Sequence, residues 1–124
     1  MVEPTIIRGK HILVADDEQS VREAISMLLS VDDHTVIEAE NGAEALDLFT
    51  KGKFDLVVTD FEMPVMKGNE LAVRIKRMAP AQPVVMVTAY PERINPQNPV
   101  DRIINKPFRL DDLRGAIAHV FPAG

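Results

Sequence analysis

The stretch HILVADDEQSVREAISMLLS, residues 11–30, decides how this chain folds. Its first five residues are mostly apolar without a polar alternation, which suits a strand buried on both faces, as in a parallel sheet. Val21, Ala24, Ile25, Leu28 and Leu29 then recur at the spacing of an amphipathic helix. Between the two stand Asp16 and Asp17. A strand, an acidic turn and a helix follow one another within twenty residues.

The same rhythm continues outward from this stretch. Further short apolar runs occupy residues 35–39, 54–59, 83–88 and, more weakly, 102–104. Between them lie helical patterns. Ala45, Leu46 and Phe49 mark one, opened by Asn41 as N-cap and closed by Gly52. Leu71, Ile75 and Met78 mark another, stopped by Pro80. Leu113, Ile117, Val120 and Phe121 mark the last, with Asp111 and Asp112 in its first turn, where the helix dipole favours anions. Such alternation, with right-handed crossovers, predicts an α/β fold: a doubly wound five-stranded parallel sheet with helices on both faces. One place breaks the pattern. Pro91, Pro96 and Pro99 fall where a fourth helix is due, and an interior proline costs a helix about 3 kcal/mol. A loop, or at most one turn, is expected there. Residues 1–9 read as a loosely held tail and 10–122 as one domain.

Composition narrows the function. The 124 residues carry 46% hydrophobic and 27% charged side chains and a net charge of -5, an ordinary globular composition. The acidic balance argues against a direct nucleic-acid binder. The absence of cysteine excludes disulfides, thiolate metal sites and a Cys nucleophile. No apolar run approaches the roughly 20 residues of a membrane span, and the N-terminus lacks the apolar core of a secretory signal. A cytoplasmic protein without membrane insertion is expected.

In doubly wound sheets functional residues gather at the carboxyl ends of the strands. Here those ends carry Asp16 and Asp17, Asp60, Thr88 and, just after the fifth run, Lys106. Each alone has an ordinary explanation as a turn or surface residue; four strands delivering polar groups to one edge do not. Three carboxylates in one place repel and raise one another's pKa. An oxygen-only cluster of this kind suits Mg²⁺. A carboxylate can attack phosphorus to give an aspartyl phosphate, with Mg²⁺ and a lysine neutralising the phosphoryl oxygens. Asp60, alone on the central strand, is the best nucleophile.

With these residues placed, the chain resembles a response-regulator receiver domain of two-component signalling, from about residue 10 to 121. The motifs that carry the resemblance are Ile12-Leu13-Val14-Ala15-Asp16-Asp17, then Asp60-Phe61-Glu62-Met63-Pro64-Val65-Met66-Lys67-Gly68, then Thr88-Ala89 and Lys106-Pro107-Phe108. The resemblance implies a flavodoxin-like strand order 2-1-3-4-5. It further implies that Asp60 accepts a phosphoryl group from a phosphohistidine of a sensor histidine kinase or phosphotransfer protein. Asp17, Asp60 and the backbone carbonyl of Glu62 would hold Mg²⁺, and Asp16 would act chiefly through water. Lys106 would pair with the phosphoryl oxygens, Thr88 would swing in to bond one, and partner contacts would then change. Lys106-Pro107 would be cis, and Gly68 would give the loop after Asp60 its tight turn. Apart from accepting and losing its own phosphoryl group, the chain would not be an enzyme.

Three departures from the family stand out. The interval from Thr88 to Lys106 is about four positions short, as the proline-rich stretch suggests. Ile103 occupies a position that usually holds a Tyr or Phe that rotates inward with Thr88; Tyr90 is a partial substitute or covers the site. Arg109 replaces an expected N-cap residue. Phospho-acceptance with a non-standard output surface is therefore expected, through an output protein that the sequence does not identify. Glu62 and Tyr90 are expected to prolong the phosphoryl group by hindering water. A receiver-like module that works without phosphorylation is the alternative. A haloacid-dehalogenase-type phosphatase is disfavoured by the reversed order of its acidic groups, and a flavin carrier by the acidic edge. No output domain follows Phe121, so a stand-alone receiver or a fragment is expected, with oligomeric state open.

Overall fold

A computed structural model describes residues 6–122. Five parallel strands, β1 (His11–Ala15), β2 (Thr35–Ala39), β3 (Leu56–Asp60), β4 (Val84–Thr88) and β5 (Arg102–Asn105), form one sheet in the order β2-β1-β3-β4-β5. Four helices alternate with them: α1 (Gln19–Ser30), α2 (Gly42–Lys51), α3 (Gly68–Met78) and α4 (Leu110–Val120). The doubly wound fold expected from the sequence is therefore present, and its strand order is the one the resemblance implies.

Two cores follow from the strand pleat, which sends successive side chains to opposite faces. Ile12, Val14, Leu56, Val58, Val85 and Val87 pack with Ile25 and Leu29 of α1 and Leu113 and Ile117 of α4. Leu13, Ala15, Val57 and Val84 pack with Ala45 of α2 and Leu71 and Ile75 of α3. Every residue of β3 and β4 is buried, which explains their unbroken apolar runs. Asn41 caps α2, its side chain accepting from the Glu44 N–H at 2.8 Å. At α4 the start is firmer than Arg109 suggests, because the Arg109 N–H donates to the Asp112 carboxylate at 2.7 Å.

Between β4 and β5 a helix is indeed missing. Pro91–Arg93 makes one 3-10 turn, where proline is tolerated because its absent N–H needs no partner. Asn95 and Asn98 then precede prolines, which bars them from helical geometry. An apolar plug takes the helix's place: Phe61, Met86 and Ile94, with Val100 packed against them. The segment is tied down by Asp101, whose carboxylate accepts from the Val84 N–H at 2.7 Å and the Lys76 ammonium at 2.8 Å. At the N-terminus, Ile7 packs on the first core and the Gly9 N–H bonds the Asp32 carbonyl. The stretch expected as a tail is thus held from Ile7 onward; residues 1–5 lie outside the described part.

Candidate functional site

The parallel register brings the strand ends to one edge. Ala15 pairs with Thr59 and Asp60 with Val87, so Asp16 and Asp17 emerge beside Asp60, and Thr88 one residue past its neighbour. Carboxylate oxygens of Asp16, Asp17 and Asp60 all lie within 4.8 Å of one another. The Lys106 ammonium reaches Asp60 Oδ1 at 3.0 Å and Asp16 Oδ2 at 3.6 Å. Its backbone N–H donates to the Thr88 carbonyl at 2.9 Å, which fixes the loop that carries it. The Lys106-Pro107 peptide is cis, as the resemblance implies.

Burial sets the electrostatics. Asp60 is 8% exposed, and that burial pushes its carboxyl up to about 6, although the Lys106 hydrogen bond pulls the other way. Asp16 is raised for the same reason; the Glu18 N–H and Lys106 oppose the rise and the neighbouring Asp17 reinforces it. Burial lowers Lys106, but the Asp60 hydrogen bond and the charges of Asp60 and Asp16 together outweigh it and leave the ammonium raised. Asp16 Oδ1 accepts from the Glu18 N–H at 2.9 Å, whereas the buried Asp16 Oδ2 has no hydrogen-bond partner. Three carboxylates share one ammonium, which stands 3.6 Å from Asp16 Oδ2, so the cluster keeps an excess of negative charge and oxygens open to a cation. Hard oxygen ligands of this kind suit Mg²⁺.

The other expected site residues sit differently. Thr88 is buried, and its hydroxyl accepts from the Tyr90 N–H at 3.0 Å; no bond joins it to the carboxylates in this state. The Glu62 carboxylate is not part of the acidic cluster and lies 3.7 Å from the Lys67 ammonium. Tyr90 is half-exposed and lies against the Arg93 guanidinium, 4.1 Å from ring centre to carbon. Gly68, the first residue of α3, has no left-handed φ, so the freedom expected of it in a tight turn is not used. Its missing side chain instead admits the Asp60 carbonyl, and its N–H donates to the Phe61 carbonyl at 2.9 Å. The left-handed residue in this loop is Val65, with φ 71°. Arg22 was not singled out from the sequence. It is buried and donates to the Asp16 carbonyl at 2.8 Å. Its position three before Ile25 and seven before Leu29, on the buried stripe of α1, was the available signal.

A doubly wound sheet in this strand order, with three aspartates and a lysine at its carboxyl edge, is the arrangement that the resemblance to receiver domains implies. Residues 12–118 match the response regulator receiver domain family, and the chain belongs to it. It is 31% identical over 118 residues to Sporulation initiation phosphotransferase F of Bacillus subtilis (strain 168), covering 92% of this chain and 95% of that one. Over 111 residues it is 32% identical to Transcriptional regulatory protein GlrR of Escherichia coli (strain K12), covering 86% of this chain but spanning only 25% of that protein. Among solved structures it is similar to response regulator TrrA of Thermotoga maritima in complex with Mg²⁺–BeF (TM-score 0.84, 34% identity, 90% of this chain and 98% of that one). TrrA in complex with the histidine kinase ThkA matches with TM-score 0.81, again at 34% identity, over 90% of this chain and 97% of that one. The chain is a receiver domain of two-component systems.

Proposed function

We propose that Asp60 accepts a phosphoryl group from a phosphohistidine of a histidine kinase or phosphotransfer protein. The observation that carries this is the Asp60 carboxylate held 3.0 Å from Lys106 inside a cluster of three aspartates. An Asp60 oxygen attacks phosphorus, the P–N bond of the donor breaks, and its electron pair leaves with the imidazole. The product is an acyl phosphate on Asp60. Mg²⁺, held by Asp17, Asp60 and the Glu62 carbonyl with Asp16 acting through water, would neutralise charge on the phosphoryl oxygens. Lys106 orients the Asp60 carboxylate before transfer and pairs with the phosphoryl oxygens after it. The Thr88 hydroxyl, which now accepts from Tyr90, retains its own proton to donate to a phosphoryl oxygen. The complex of TrrA with ThkA supports a kinase as donor.

The added charge favours whichever conformer places Thr88 and Lys106 on the phosphoryl group. Without a helix between β4 and β5, and with Ile103 in place of an aromatic, the signal leaves by a surface other than the family's usual one. Acetyl phosphate with Mg²⁺ is expected to add about 80 Da, one HPO₃, to the wild-type protein and nothing to Asp60→Asn, read by intact mass. No gain in folded wild-type protein defeats the proposal in favour of a phosphorylation-independent interaction module, the reading that the exposed Ile103 favours.

A further inference from the structure

Two of the three clustered carboxylates are held through their own side chains: Asp60 by Lys106 at 3.0 Å, and Asp16 Oδ1 by the Glu18 N–H at 2.9 Å. Asp17 is exposed, and among the described residues its carboxylate makes no hydrogen bond, yet one of its oxygens lies within the cluster. Its placement therefore comes from its backbone. The peptide joining Asp16 to Asp17 is planar, so the direction of the Asp16 carbonyl fixes the opposed N–H of Asp17 and the origin of its side chain.

One side chain grips that carbonyl. Arg22 Nη1 donates to the Asp16 oxygen at 2.8 Å, while its Nε donates to Glu38 Oε1 of β2 at 3.2 Å. The arginine side chain is only 10% exposed. A guanidinium is costly to bury unless its donors are matched, and here they bridge the first turn of α1, the loop after β1 and the neighbouring edge strand. We propose that Arg22 is a positioning residue for the metal site, fixing the Asp16–Asp17 peptide so that Asp17 faces Asp60. The inference rests on the Mg²⁺ reading above.

The sign of the effect separates positioning from charge. Deleting a cation near an acidic cluster tightens Mg²⁺ binding if only Coulomb forces act; deleting a positioning group weakens it. Titrating the wild-type protein, Arg22→Met and Arg22→Lys with Mg²⁺ alone, and following amide and carboxyl NMR shifts, tests this. Arg22→Met is expected to weaken Mg²⁺ binding about tenfold, the usual size for an outer support of a metal ligand. Arg22→Lys keeps the charge but lacks the planar fork that spans both acceptors, and is expected to weaken it about threefold, where charge alone predicts no change. In the Mg²⁺-free variants the Asp17 signals move while those of Asp60 and Lys106 stay. Unchanged or tighter affinity in folded Arg22→Met overturns the proposal, and so does an unchanged Arg22→Lys should Arg22→Met fail to fold. A wild-type protein that shows no Mg²⁺ response overturns the metal reading itself; a normal wild-type response with unaltered variants overturns only the role of Arg22.

Discussion

At the scale of single residues the site is governed by burial acting against charge. Asp60 titrates at about 6 because its carboxylate is desolvated, and Lys106 offsets only part of that cost. A protonated Asp60 neither holds a cation nor attacks phosphorus. Apparent Mg²⁺ affinity is therefore expected to fall about tenfold for each pH unit below that value, measurable by titrating Mg²⁺ at several pH values between 5 and 7.5. Val65 presents a second single-residue balance. A β-branched residue with φ 71° is strained, and at 81% exposure it has little packing to lose. Val65→Asn is expected to raise stability by about 1 kcal/mol, read from urea unfolding. The sequence displayed Asp16, Asp17, Asp60 and Lys106 plainly, because each follows an apolar run. It did not display Arg22's partner, since a hydrogen bond to a backbone carbonyl has no sequence signature.

At the scale of elements, the segment from Asp60 to α3 is shaped by two glycines on either side of it. Gly68 leaves room for the Asp60 carbonyl, and Gly42 at the start of α2 leaves room for the Met66 carbonyl. Both obstacles are backbone and cannot swing aside. Gly68→Ala is therefore expected to cost about 1–3 kcal/mol and to weaken Mg²⁺ binding by displacing the carbonyl of Asp60. Chemical denaturation and a Mg²⁺ titration of the same variant check both. The segment from β4 to β5 shows what local chemistry makes legible: three prolines ruled out a helix, and only one 3-10 turn formed. They did not reveal that Phe61, the residue after Asp60, would help fill the gap with Met86 and Ile94.

At the scale of the whole molecule, the end of the sheet opposite the three aspartates carries its own charge cluster. Arg114 donates twice to the buried Asp32, at 2.9 and 2.8 Å, and these bonds hold the Asp32 carboxyl below its usual range. Burial pulls His34 below 6.5 although Asp32 and Asp33 pull it up; Lys10 and Arg8 add to the fall. As pH drops below about 6.5, the unfolded chain takes up a proton that folded His34 refuses, so stability declines. The Asp32 contribution is lost later, as pH passes below 3.8 and through its lowered value. Raised Asp60 works in the opposite sense between about 6 and 3.8. His34→Asn, whose side-chain oxygen can still accept from the Lys10 N–H in place of Nδ1, is expected to flatten the decline between pH 7 and 5 in urea melts. By itself the sequence determined the alternation of strands and helices, the acidic strand ends and the missing helix, because hydrophobic period and proline act over a few residues. Only the tertiary structure decided which groups meet: the Asp16–Asp60–Lys106 contacts, the Arg22 bridge and the Asp32–Arg114 pair join residues far apart along the chain, and side-chain proximity of that kind follows from sheet register and packing.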